Sequence, residues 1–162
     1  MFLKKFDIRW SDLDPNRHLA NAAYINFMSA TRMDYLIHMG FDRHAMARHA
    51  IGPVAFMEQI HFYQEVFQGK PIYVSLELAG LSEDGAFFMF VHNFYNAKGD
   101  HLAQGEMKGA WMHLETRKVT GLPKEFLKVM TDLEKTADFK VLTKADTRTP
   151  GKMPVAITLP LG

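Results

Sequence analysis

The spacing of apolar positions changes twice along the chain, and each change marks a new kind of element. "FLKKFDIRW" alternates aromatic and branched residues with polar ones, which predicts a strand from about Leu3 to Trp10. From Ala22 to Met39 the residues Tyr24, Ile25, Met28, Met33, Leu36 and Met39 recur near three- and four-residue steps, the period of an amphipathic helix. Asn21 suits its N-cap, since its side chain can accept a hydrogen bond from a first-turn amide. Gly40 suits the position just past its end. At about 1.5 Å per residue such a helix spans roughly 27 Å, enough to lie along a whole sheet. "FDRHAMARHAIG" then reads as a connector with one or two helical turns.

Beyond this connector the period falls to two and stays there. "PVAFMEQIHFYQEVF", "PIYVSLELAGLS", "AFFMFVHNFYNA" and "HLAQGEMKGAWMHLET" are four strand candidates, separated by "QGKP", "SEDG" and "AKGD". Each separator carries glycine in turn chemistry, and such short connections imply antiparallel neighbours. "PKEFLKVMTDLEK" predicts a short helix opened by Pro123. The order is one strand, one long helix, four strands and a terminal helix, which predicts an α+β fold with a five-stranded antiparallel sheet. We place one domain at residues 1–135 and a C-terminal extension of unclear structure at 136–162, including the poorly specified tail "TRTPGKMPVAITLPLG". One helix covers one face of such a sheet, so the other face is wet or meets another molecule. "AFFMF", apolar at consecutive positions, suits a strand buried on both faces. A homo-oligomer is therefore expected, a homodimer or homotetramer.

Composition narrows the chemistry. The chain has 162 residues, 48% hydrophobic and 23% charged, within the ordinary range for one globular domain. Nineteen basic and eighteen acidic residues leave a formal charge of +1, without the broad basic footprint that nucleic acid or an anionic membrane requires. There is no cysteine, which excludes disulfides, a thiol nucleophile and a thiolate zinc site. No apolar run reaches the ~20 residues of a membrane span, and "MFLKKFDIRW" lacks the apolar stretch of a signal peptide. A soluble cytoplasmic protein is the expectation.

The densest chemistry lies in "WSDLDPNRHLANAAYINF", between the first strand and the helix. Asp12, Asp14 and Asn16 match the opening of a calcium loop, but Arg17 stands where that loop needs glycine and Ala23 where it needs glutamate. No H-E-x-x-H spacing occurs, so no metal site is expected. A structural reading makes Asp12 and Pro15 the residues that shape the turn, by side-chain bonding to backbone and by a fixed φ. A chemical reading places an aspartate beside the unpaired amides at a helix start. There the carboxylate can attack or deprotonate water while those amides stabilise an oxyanion.

"RWSDLDPNRHLANAAYINFMSATRMDYL" resembles the signature of the 4-hydroxybenzoyl-CoA thioesterase family of hotdog-fold proteins, which shows an aromatic residue, D-x-D, a short turn, often H-V-N-N, then tyrosine and a long helix. The likeness covers about residues 1 to 125. It implies a curved antiparallel sheet wrapped around the long helix, acyl-CoA substrates with coenzyme A as acyl carrier, no separate cofactor, and active sites at a subunit boundary. It also implies that Asp14, the second aspartate of the pair, is the catalytic carboxylate, and that a backbone N–H near Asn21 polarises the thioester carbonyl. The chain departs from the pattern at Ala20, in "HLAN", and at Glu65 and Lys70, where relatives carry proline and a G-D step.

His18 and Tyr24 are placed as substrate contacts, with Met57 as a third from the following strand. Most of the methionines and phenylalanines, Met28, Met33 and Phe56 among them, are expected as core. Glu58 is expected as a surface or salt-bridge carboxylate. The resulting expectation is a thioester hydrolase acting on an acyl-CoA or acyl-carrier-protein substrate. Its rival is an acyl-CoA or lipid-binding hotdog protein without turnover, a reading that the departures at Ala20, Glu65 and Lys70 keep open. A hotdog hydratase is weaker, because no His/Asp pair of that kind is evident.

Overall fold

The structure, a computed structural model, describes residues 1–147, 152 and 154–159. It contains β1 (Phe2–Phe6), α1 (Asn21–His38), α2 (Arg43–Arg48), β2 (Ile51–Phe62), β3 (Ile72–Leu81), β4 (Phe87–Asn96), β5 (His101–His113), α3 (Lys124–Thr131) and β6 (Lys135–Val141). The sheet runs β1-β3-β4-β5-β2 with every one of these pairs antiparallel, and α1 packs on it, as the hotdog arrangement requires.

A sixth strand joins that sheet. β1 pairs with residues 72–76 of β3, and β6 takes the next stretch of the same edge, running parallel to β3 from Leu78 to Leu81. The extension expected from residue 136 therefore begins inside the sheet, and Leu133 and Leu142 on either side of β6 are buried. No alternation advertises this strand: its burial pattern is mostly exposed, and it borrows its place from β3. Of the expected tail, residues 152 and 154–159 have no regular secondary structure, and residues 148–151, 153 and 160–162 lie outside the described residues.

β1 is shorter than its alternation predicts. Trp10–Asp12 form one 3-10 turn, because the Asp12 carboxylate accepts the Arg9 N–H at 2.8 Å and bends the chain out of the sheet. The expectation for "AFFMF" also changes. Phe88 and Phe90 are buried toward α1, while Phe87 and Met89 on the outer face are half-buried, so this strand is not covered on both faces within one chain.

The long helix lies close to the sheet because β5 is small beneath it. Ala103, Gly105, Met107, Gly109 and Trp111 form the inward-facing row of β5, alternating in size. Fully buried Met28 sits over Gly105, where an added Cβ would collide with its Sδ and lie 2.8 Å from its Cε. The aromatic stack Phe126–Phe41–Trp111 then closes the far end of the core, with ring centroids 3.7 and 4.9 Å apart.

One polar chain crosses this interior. Arg32 on α1 donates to Glu58 on β2 at 3.0 Å, with side chains only 12% and 19% exposed, and its Nη1 lies 3.3 Å from His92 Nε2 on β4. His92 Nδ1 is 2.8 Å from the Ser75 carbonyl. Nδ1 therefore carries the hydrogen and Nε2 accepts from Arg32, which defines the neutral tautomer. Removing one partner of such a buried ion pair typically costs ~3–5 kcal/mol. Among the described residues no helix is long and apolar enough to cross a membrane.

The imidazole of His92 gives the fold an acid sensitivity. Burial, then the Arg32 cation, push its pKa from the ordinary 6.5 down to about 3. Below 6.5 the unfolded chain takes up a proton that the folded chain refuses. Its stabilising contribution is thus complete above pH 6.5 and lost as the pH falls toward about 3, by up to ~1.4 kcal/mol per pH unit. Denaturant titrations at pH 7, 6 and 5 should show a steeper loss of stability in the native protein than in His92→Gln; parallel pH profiles would remove His92 as the cause.

Candidate active site

The segment between β1 and α1 folds around Asp14. Its Oδ1 accepts the Asn16 N–H at 2.8 Å and the His18 N–H at 3.0 Å, while Pro15 and Asn16 form the corner of a turn closed by the Arg17 N–H on the Asp14 carbonyl at 2.9 Å. The Asp14 N–H returns to the His18 carbonyl at 2.8 Å, so the loop is stitched on both sides. Oδ2 has no protein donor among the described residues. Asp12 shapes the segment from below: its carboxylate holds Arg9, and its carbonyl accepts the Ala20 N–H at 2.8 Å, setting the entry of α1.

Four of the expected site residues meet in one place. Asp14, His18, Asn21 and Tyr24 line a cavity of about 280 Å³ with Phe62, Tyr63 and Glu65 from the end of β2 and the loop after it. That loop is tied to the Asp14 turn by Leu19 N–H to the Val66 carbonyl at 2.8 Å. His18 Nε2 stands 3.6 Å from Glu65 Oε1, and its ring meets Phe67 edge-on at 4.8 Å. Tyr24 is wedged between Phe62 and Phe94, at 5.0 and 5.1 Å. Burial pushes its phenol up to about 12, so it remains a neutral O–H.

Asn21 enters this cavity in a different way from its expected capping role. It is the first residue of α1, and the N-cap is Ala20, extended at φ −65° and ψ 146°, with no side chain to bond the helix. The Ala23 N–H turns back to the Ala20 carbonyl at 2.9 Å. The amides of Asn21 and Ala22 are then the ones left at the positive end of an eighteen-residue helix.

Met57 is not brought to the cavity. A bulge between Ala55 and Met57 inserts one extra residue in β2 opposite β5 and shifts the alternation, so Glu58 and Phe62 face α1 while Met57, paired with Lys108, lies on the other face. Glu58 takes the salt-bridge role that was expected of it, but inward and against Arg32. A second, more apolar cavity of about 200 Å³ lies further along α1, between Leu36, Phe88, Met107 and Trp111, with Arg32 on its wall. Sequence reading passed over Phe62, Tyr63 and Glu65 as site walls. They join the cavity through the loop anchoring at Val66, a non-local pairing that leaves no pattern in the sequence. Among the described residues no group of three or more His, Asp or Glu side chains is placed to hold a metal ion.

A sequence model of the thioesterase-like superfamily matches residues 8–130. No curated protein matches the chain. Among solved structures, it is similar to a hypothetical protein from Staphylococcus aureus in complex with CoA, at 14% identity and a TM-score of 0.75 over 96% of this chain and 95% of that one. It is also similar to a 1,4-dihydroxy-2-naphthoyl-CoA thioesterase from Synechocystis, at 15% identity and a TM-score of 0.73 over 82% and 96%. A probable thioesterase from Escherichia coli, YbaW, aligns at 20% identity and a TM-score of 0.71 over 83% and 100%. At these identities the likeness is one of fold.

The bare N-cap yields a direct test of the helix start. Ala20 already has the extended backbone of a cap, so Ala20→Asn should place an acceptor over the first-turn amides and raise stability by ~1 kcal/mol. Urea unfolding of the two proteins measures it. An unchanged or lower midpoint would mean that the first-turn amides gain nothing from a side-chain acceptor at position 20.

Proposed function

The chain belongs to the thioesterase-like superfamily, and from that premise we propose that it hydrolyses the thioester of an acyl-CoA, or of an acylated carrier protein, in the Asp14 cavity. Family membership supports thioester hydrolysis as the general activity; the residues and the substrate are our reading of the site. The observation that carries it is the state of Asp14. One carboxylate oxygen is held by two loop amides, the other has no protein donor among the described residues, and Asp14 lines the same cavity as Asn21 at the start of α1.

In this reading the thioester carbonyl oxygen accepts the Asn21 N–H, where developing negative charge meets a fixed donor and the positive helix end. The free oxygen of Asp14 then acts by one of two routes. It attacks the carbonyl carbon, the C–S bond breaks, the thiolate leaves and takes a proton, and water cleaves the resulting anhydride. Alternatively it takes a proton from water as that water attacks the same carbon, and the thiolate leaves protonated. Either way one water is consumed and a carboxylic acid and a free thiol are released. His18, Tyr24 and Phe62 form walls for the acyl group and its thioester, with the Tyr24 O–H available as a neutral donor. No metal or redox cofactor enters these steps.

We assign the open edge of β2 to a second copy of the chain. β2 is twelve residues long, pairs with β5 alone among the described residues, and exposes Phe56 and Phe62 at 47% and 51%. A long aromatic edge left bare is an aggregation hazard. Because Phe62 and Tyr63 also wall the Asp14 cavity, a copy paired along this edge would close the site as well as the sheet.

Thiol release from a panel of acyl-CoA substrates should be detectable with the native protein and fall at least ~100-fold in Asp14→Asn. Asn21→Pro separates amide from side chain. Proline is tolerated at a first helical position, yet it removes the N–H. The rate should therefore fall ~100-fold in Asn21→Pro and change little in Asn21→Ala. Full turnover in Asp14→Asn would sink the site assignment, and tight acyl-CoA binding with no thiol release would favour the binding protein without turnover. Light scattering should return at least twice the 18.5 kDa chain mass; a monomer at micromolar concentration would refute the edge assignment.

A further inference from the structure

Trp10 is 81% exposed, unusual for a large aromatic side chain that is ordinarily well buried. It lines a cavity of about 460 Å³ together with Leu13, Arg17, Phe67 and Gln68. Phe67 is itself 53% exposed. Two bare rings, one cation and one side-chain amide therefore share a concave surface, and Arg17 is the only charged residue among its described walls.

The backbone commits something to that cation. Arg17 has φ +64°, the left-handed region that glycine or asparagine enters at least cost, and the turn from Asp14 to His18 needs that conformation to close. A strained position filled by a long charged side chain points to a use for the side chain. Arg9, Arg17 and, in the adjoining groove beside Phe67 and Gln68, Lys70 take part in no ion pair among the described residues. The nearby carboxylates point elsewhere: Asp12 accepts the Arg9 amide, Asp14 accepts the Asn16 and His18 amides in the neighbouring cavity, and Glu65 stands opposite His18. The charge that lines this cavity among the described residues is the Arg17 guanidinium.

This surface adjoins the Asp14 cavity. Phe67 and His18 are bridged through their backbones, with His18 lining one cavity and Phe67 the other. We infer that the Trp10, Arg17 and Phe67 cavity seats the adenine nucleotide end of the coenzyme A carrier while the thioester lies at Asp14. Adenine offers a flat face for aromatic stacking, and Arg17 offers a planar fork for phosphate oxygens. Gln68 can meet the edge of the base. The inference rests on the thioesterase reading for what lies at Asp14, and it selects free coenzyme A over a carrier protein, which presents no adenine.

The nucleotide can be tested without turnover. Trp111 is 1% exposed and the chain has two tryptophans, so the exposed component of the emission belongs to Trp10 and is absent in Trp10→Phe. Adenosine 3′,5′-bisphosphate should quench that component saturably, with affinity about tenfold weaker in Arg17→Ala and in Phe67→Ala. With one acyl group, the ratio of kcat/KM for the CoA thioester to that for the N-acetylcysteamine thioester should fall about tenfold in Trp10→Ala and in Arg17→Ala. Damage to the fold lowers both rates and leaves the ratio where it was. Absence of saturable quenching, an unmoved ratio, a carrier-protein thioester showing the same dependence on Trp10, or a change of oligomeric mass in Trp10→Ala would each overturn the inference. If neither thioester is hydrolysed while the nucleotide still quenches Trp10, the thioesterase reading fails and the nucleotide site stands.

Discussion

Everything in this molecule depends on how closely α1 lies against β5. Met28 occupies the space that a side chain at position 105 would fill, so the helix axis is drawn down onto the sheet at its second turn. That contact places the start of α1 directly over the end of β2 and the loop after it, where Tyr24 meets Phe62. Arg32, one turn beyond Met28, then reaches both Glu58 and His92 from the same helix. A helix lifted by even one methyl group would lengthen the contacts to Glu58 and His92 and open the wall of the candidate site. Packing of this kind tolerates little change in volume.

The seating of the helix also explains why the site needs few side-chain contacts to hold it. Once the helix start is fixed, the Ala20 amide meets the Asp12 carbonyl, and the loop between them has only enough length for one tight turn at Pro15 and Asn16. Asp14 sits inside that turn and accepts its amides. The candidate carboxylate is therefore aimed by backbone geometry on both sides, not by a neighbouring base or cation.

Much of this was legible in the sequence, for reasons that also explain where legibility stopped. The long helix declared itself through Tyr24, Met28 and Leu36, all of which are buried, and the four later strands through their glycine turns. Asp12 and Pro15 could be read as turn-shaping residues because that chemistry is local. What was hidden is non-local. The bulge at Phe56 has no signature in "PVAFMEQ", yet one inserted residue exchanges the faces of everything after it. It turns Met57 away from the helix and Glu58 toward it. β6 escaped notice because its partner, not its own alternation, makes it a strand. Asn21 read as a cap because asparagine is a good one, but the extended residue is Ala20, where the chain leaves the Asp12 carbonyl.

The departures from the family pattern take on a different weight in this light. Ala20 lacks the polar side chain of the H-V-N-N pattern the segment resembles, but it is anchored through its own N–H and carbonyl, main-chain groups that any residue except proline supplies. Glu65 replaces a proline in the loop, yet the loop is held one residue later, where the Val66 carbonyl accepts the Leu19 N–H, again without reference to a side chain. Lys70 stands beyond that anchor, beside Phe67 and Gln68. Glu65 and Lys70 thus lie on cavity walls, Ala20 does not, and the contacts that set the geometry of Asp14 and of the first amides of α1 are written in backbone. For this chain the main-chain bonds that hold Asp14 against the helix start do not depend on the side chains at Ala20, Glu65 and Lys70.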